Sequence, residues 1–317
     1  MKKIYNISIR ICISLLILGL FFYYVGIEKI YLTITSINLI YIFPILILQI
    51  LALIAGGFCI SILIIPLNKK ISSIKIIKYY MLSWTLGLIA PGKLGELSLL
   101  YFLKRIDVPL GKGTFILFID KTITMGSIFL ISTYGLFLFF DKIIAIKSLI
   151  FFLIILLSLI GIFISDTGRY LIKKIILRKH SIKFEGFSKT MKTYFKHKKR
   201  YLLLNALTTL TRYFLISFII KLLFLSFGET VAITTVIIIT MLIVLLSMIP
   251  ITFSGIGLRE ASAVFLYGVV GIKADIVAAV YVIIFIINYS SAALIALVLF
   301  NYIKIKDPNI IKSINNK

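Results

Sequence analysis

Ile249-Pro250-Ile251-Thr252-Phe253-Ser254-Gly255-Ile256-Gly257-Leu258-Arg259-Glu260 follows an apolar run, Thr230–Met248, and precedes a short apolar stretch, Ala261–Val270. Proline removes a helical hydrogen bond and the glycines weaken the helix further, so the run breaks here. Lipid cannot satisfy the backbone groups such a break frees, so it must line a cavity or be buried in protein. A second place in the chain reads alike. Tyr79–Ala90 is apolar but too short to cross a bilayer. It stops at Pro91-Gly92-Lys93-Leu94-Gly95-Glu96, and a short helix is expected to run on to Phe102. Each break carries proline, then glycine, then a base, then glutamate.

Composition sets the medium in which these breaks sit. Of the 317 residues, 61% are hydrophobic and 15% charged, with a mean hydropathy of +1.13. A soluble core cannot use so much apolar surface, so the excess must face lipid. That excludes a soluble enzyme, a secreted disulfide scaffold and a disordered chain. The net charge of +24 fits the concentration of Lys and Arg in cytoplasmic loops better than nucleic-acid binding, for which no module is present. Cys12 and Cys59 lie in apolar runs and read as small core hydrophobes, while His180 and His197 fall in a basic, solvated loop. No His, Cys and carboxylate spacing suggests a metal, and no cofactor is expected. The N-terminus resembles a signal peptide without a cleavage site, hence an uncleaved first span.

Full spans are expected at Ile11–Ile27, Leu39–Pro66, Gly113–Phe140, Leu149–Ile164, Tyr201–Phe227 and Ile276–Ile303. Suppose that both termini are cytoplasmic and that segments 79–104 and 229–272 each return to the side they left. Only Lys29, Lys142, Lys147 and Lys273 then lie outside. Lys93, Lys121, Arg212, Lys221 and Arg259 lie at membrane depth, and every other base is inside, a strong positive-inside pattern. Arg212 and Lys221 are expected to snorkel toward interfaces. The predicted class is all-α: a polytopic integral membrane protein with inverted repeats, about six full spans plus two broken or re-entrant helical hairpins. The first repeat covers about 39–140 and the second about 201–303, joined by a cytoplasmic basic connector at about 166–200. That connector reads as a positive-inside loop or as a helix on anionic headgroups.

The chemistry follows from the breaks. Helix N-termini after glycine favour phosphate, and Lys93 and Arg259 add full positive charge beside them. Glu96 and Glu260 persist at membrane depth only if paired, protonated or useful. Lys93 is three residues from Glu96 and so a natural partner, Asp120-Lys121 forms a further charged pair, and Glu260 must find a partner beyond Arg259. Capping of the short helices is weighed evenly against a direct role in binding or proton movement. No nucleophile elbow, Walker loop or zinc spacing occurs, so an enzyme is not expected.

These residues resemble a known family. Pro91-Gly92-Lys93-Leu94-Gly95-Glu96, then Leu103-Lys104-Arg105 and Asp120-Lys121, are similar to the first characteristic region of the lysylphosphatidylglycerol synthase transmembrane, or flippase-like, family. Ile249-Pro250 through Ala261 is similar to its second. The family commonly has a Glu-Arg pair followed by Asp after the first break. This chain has Asp120-Lys121, with Thr124 at the later position. The resemblance implies a domain that binds or translocates lipids. In the synthases it is joined to a soluble aminoacyl-transfer domain; none is expected from these residues, so lysyl transfer is not carried over. Some related stand-alone proteins are linked to polyprenol-phosphate glycosylation.

The expected function is a flippase-like transporter in the cell membrane, multi-pass, holding a phosphorylated anionic or polyprenyl lipid headgroup between two interrupted helices. Its expected substrate-binding residues are Pro91, Gly92, Lys93, Gly95, Glu96, Asp120, Lys121, Pro250, Ser254, Gly255, Gly257, Arg259 and Glu260. The partners are membrane lipids, not nucleic acid. The alternative is an accessory subunit or integral-membrane transferase in envelope lipid or glycan synthesis, working with a lipid- or glycan-modifying enzyme. A small-solute transporter is the third reading.

Overall fold

The computed structural model describes residues 2–67, 71–89, 95–165, 186–249 and 251–306. Among these there are helices and no strands. The helices are α1 (Lys2–Val25), α2 (Ile27–Thr35), α3 (Ile42–Ile64), α4 (Ser73–Ile89), α5 (Ser98–Lys104) and α6 (Leu110–Phe139). After them come α7 (Lys142–Ile164), α8 (Phe187–His197), α9 (Lys199–Ser226), α10 (Ile233–Ser247), α11 (Leu258–Val269) and α12 (Ala274–Lys306). Stretches of α1, α6, α9 and α12, and the segment Leu39–Ile64, are long and apolar enough to cross a membrane. This is a polytopic α-helical membrane protein.

Three elements differ from the sequence reading. α2 is additional: the first helix stops at Val25, and after Gly26 the chain runs as a second helix that buries Ile30 and packs on α12. α7 is longer than the expected 149–164 because Asp141 caps it, its Oδ1 accepting from the Ile143 N–H at 2.7 Å. Hydropathy alone rejects Lys142 and Lys147, whereas a cap fixes the start. The connector contains α8, whose buried face of Thr190, Met191 and Tyr194 packs on α6 and α9. The Tyr194 hydroxyl donates to the Leu63 carbonyl, and Lys198 Nζ donates to the Pro66 carbonyl at 2.5 Å. Burial pushes the Tyr194 phenol well above its ordinary pKa, so it stays a neutral donor. The described part of the connector is thus seated on protein. The stretch 170–179, read as the headgroup-binding part, lies outside the described residues.

Packing is organised around a central pair, α3 against α9, the most extensive helix contact among the described residues. α4 lies on α3 as α10 lies on α9. α5 joins α4 to α6 as α11 joins α10 to α12. α12 packs on α4 as α6 packs on α10, so each half lends its last helix to the other half's broken segment. Gln49 Nε2 of α3 donates to Asn288 Oδ1 of α12 at 3.0 Å, a further tie between the halves. Two large apolar cores result, beside two smaller ones. One joins Ile60, Leu63, Ile76, Leu103 and Phe115; the other joins Phe224, Val236, Ile239, Tyr267 and Val280. The outer faces carry Leu16, Tyr23, Leu130, Phe151 and Leu297, all exposed. That is where the surplus of apolar residues goes. Cys59 is buried as expected, but Cys12 is exposed on α1.

Candidate functional site

The second break is shaped by backbone geometry and covered by α1. Ser254, Gly255 and Gly257 take φ of 53°, 81° and 82°. For Ser254 this is a sparsely populated, costly conformation. The Phe253 N–H donates to Ser14 Oγ of α1 at 2.7 Å. A Cβ on Gly257 would lie 3.1 Å from the Ser14 carbonyl oxygen, so the backbone of α1 closes directly over the break. This is the burial in protein that a break in lipid demands.

Glu260 does not reach another helix. Its Oε2 accepts from the Gly257 N–H at 2.7 Å, so it caps α11, the helix it belongs to. For this N–H the capping alternative weighed from sequence is the one seen: a buried carboxylate holds it. Glu260→Ala should lower stability by about 1 kcal/mol, whereas Glu260→Gln, whose amide oxygen still accepts, should be near neutral. Heat-induced loss of the monodisperse peak in detergent measures both. Arg259 is half-buried and has no ion-pair or side-chain hydrogen-bond partner among the described residues. It lines a crevice with Leu88, Ser254, Glu260, Asn288 and Tyr289 whose free volume is about 10 Å³, room for one water.

At the first break, residues 90–94 lie outside the described residues, and Pro91, Gly92 and Lys93 with them; Pro250 does too. Gly95 is described. It lies directly on the Leu86 carbonyl in the last turns of α4, where a Cβ would collide with backbone. Beside it, the Glu96 side chain rests on Gly87. Glu96 Oε2 meets Lys121 Nζ at 2.5 Å, so the carboxylate bridges the break to α6. The pairing with Lys93 considered from sequence falls outside the described residues.

Asp120, next to Lys121, is bonded across to α9. It is 3% exposed, and its Oδ1 accepts from Asn205 Nδ2 of α9 at 3.0 Å. The same amide nitrogen donates to the Cys59 carbonyl of α3 at 3.0 Å. Cys59 Sγ lies 3.5 Å from Thr209 Oγ1, and Arg212 Nη1 donates to the Tyr80 hydroxyl of α4 at 3.2 Å. Arg212 does not snorkel: it is 8% exposed and stacks on Tyr213. Asn205 and Thr209 went unnoticed in sequence, and Arg212 was noticed but not joined to them. Their spacing of four and then three residues puts them on one helix face, so a polar stripe in an apolar span was the available signal.

A cavity of about 310 Å³ opens beside the first break, against α4, α5 and α6. Most of its wall is apolar, from Trp84, Leu97, Leu100, Leu117 and Phe118, with Tyr80, Ser83, Glu96, Asp120 and Lys121 as its polar part. Among the described residues this cavity is lined by two carboxylates and one ammonium, and Arg259 sits in the narrow crevice. The two places adjoin. Gly87 touches Glu96, Leu88 lines the Arg259 crevice, and the Tyr289 hydroxyl donates to the Leu88 carbonyl at 3.4 Å.

A bundle of apolar spans with ionised side chains gathered at helix breaks defines a multi-pass membrane protein with a polar interior. The family model of the lysylphosphatidylglycerol synthase TM region matches residues 7–296, and the chain belongs to that family. No curated protein and no solved structure matches it. Membership links the chain to lipid synthesis or flipping.

Proposed function

We propose that this protein is a flippase-like transporter that binds and translocates a phosphorylated lipid headgroup, anionic or polyprenyl, between its two interrupted helices. The observation that carries the reading is the junction of the breaks: Leu88, at the end of α4, lines the same crevice as Arg259 and Glu260. Family membership supports lipid handling. The exchange of partners between halves supports the two repeats, about 39–140 and 201–303, and their opposite orientation is part of the proposal. Both termini are cytoplasmic in this reading, following the positive-inside pattern. In the conformation described here the crevice is closed, so the headgroup enters when α4 parts from α12. Arg259, with Lys93 as the sequence-derived second base, holds the phosphate.

The test is transbilayer movement of labelled phospholipids and polyprenyl phosphates in proteoliposomes. Wild type should accelerate at least one of them, and Arg259→Ala should lose at least about tenfold of that rate, the effect of one charge-assisted contact, at unchanged folded yield. Movement indifferent to Arg259→Ala, or absent for every anionic lipid tried, defeats the reading.

A further inference from the structure

Lys121 is the one ammonium on the larger cavity among the described residues, and Glu96 already neutralises it at 2.5 Å. An anion arriving there must share that ammonium with a carboxylate. Two negative charges on one positive charge in a space of low dielectric repel each other. A proton on Glu96 removes the repulsion and releases Lys121. We infer that proton uptake at Glu96 and anion binding at Lys121 are a single coupled event, so that the cavity takes a phosphate-bearing headgroup together with one proton. The balance is simple. A proton from water binds a Glu96 oxygen, the Nζ–Oε2 ion pair opens, and Nζ turns to a phosphate oxygen. One positive and one negative charge enter, and the net charge of the site is unchanged.

Exposure selects Glu96 among the three buried-segment carboxylates. Its side chain is 28% exposed and that of Lys121 is 45% exposed, beside the cavity. Asp120 is 3% exposed and held by Asn205, and Glu260 is 6% exposed and occupied as a cap. Among the described residues, the other titratable or charged groups within electrostatic reach of the pair and its neighbours include Tyr80 from α4, Asp120 from α6, Cys59 from α3 and Arg212 from α9. α5 turns Leu99 and Leu100 to the cavity. This inference rests on the lipid-headgroup reading above, and the experiment separates the two.

Trp84 is the single tryptophan of the chain and lines this cavity, so its fluorescence reports occupancy. The probe is a short-chain phosphatidylmethanol, whose phosphodiester keeps one charge throughout the titration, added to the purified full chain in detergent at a series of pH values. Linkage of one proton to one anion makes the affinity rise about tenfold for each unit of falling pH, until Glu96 is protonated in the free protein. Glu96→Gln, which mimics the protonated acid, should bind tightly at every pH. Wild-type binding that is equally strong at all pH values overturns the coupling and leaves the lipid reading standing. A pH slope that survives in Glu96→Gln and vanishes in Asp120→Asn overturns the assignment to Glu96. No fluorescence change in either wild type or Glu96→Gln overturns both readings.

Discussion

Gly95→Ala should be among the most damaging single substitutions in this chain. A Cβ there meets the Leu86 carbonyl and the Gly87 nitrogen, which are helix backbone and cannot swing aside like the end of a long side chain. Overpacking commonly costs 1–3 kcal/mol, and a backbone collision belongs at or above the top of that range, about 3 kcal/mol or more. Relief requires moving the first break off α4, which also displaces Glu96 from Lys121. The measurement is the midpoint of heat-induced loss of the folded peak in detergent. Gly126→Ala is the control. Gly126 sits inside α6 with nothing within 4 Å of its added Cβ, and replacing a mid-helix glycine should be neutral or stabilising by about 0.5–1 kcal/mol. Equal behaviour of the two variants would show that α4 does not pack on the break as described.

Asn205→Leu should cost about 3 kcal/mol through a different mechanism. The side chains are of similar size, so packing is largely kept. What goes is the donor shared by Asp120 Oδ1 and the Cys59 carbonyl, both in an interior sealed by α3, α6 and α9. A buried carboxylate left without its donor is penalised far more than the bond itself was worth. The sharper expectation concerns the double variant. Asp120→Leu with Asn205→Leu removes both partners, so it should be less destabilised than the sum of the two single changes, by at least 1 kcal/mol or so in a double-mutant cycle. Strict additivity would mean that the two side chains do not depend on each other.

The sequence made the membrane spans readable because a helix in lipid must satisfy its own backbone and show apolar side chains outward, and that pattern survives without tertiary information. The breaks were readable for the same reason: proline and glycine announce themselves locally. Partner choice was not. Glu96 is twenty-five residues from Lys121, and no local pattern announces a contact made across helices. For Glu260, capping and a distant partner were both open from sequence, and the N-terminus of its own helix supplies the contact described. Arg212 was assigned to an interface by the general habit of long basic side chains. Its true setting depends on Tyr80, a residue that no local pattern connects to it.

Ser14 and Phe253 lie 239 positions apart, yet their bond seals the second break. During synthesis α1 is therefore inserted long before the strand of chain it will cover exists. Until α11 arrives, the Ser14 hydroxyl must fall back on its own helix, and the first helix must wait in the bilayer without its docking surface. Maturation of this protein ends with a late closing step, and a slow phase limited by α1 docking should be visible in its refolding from detergent.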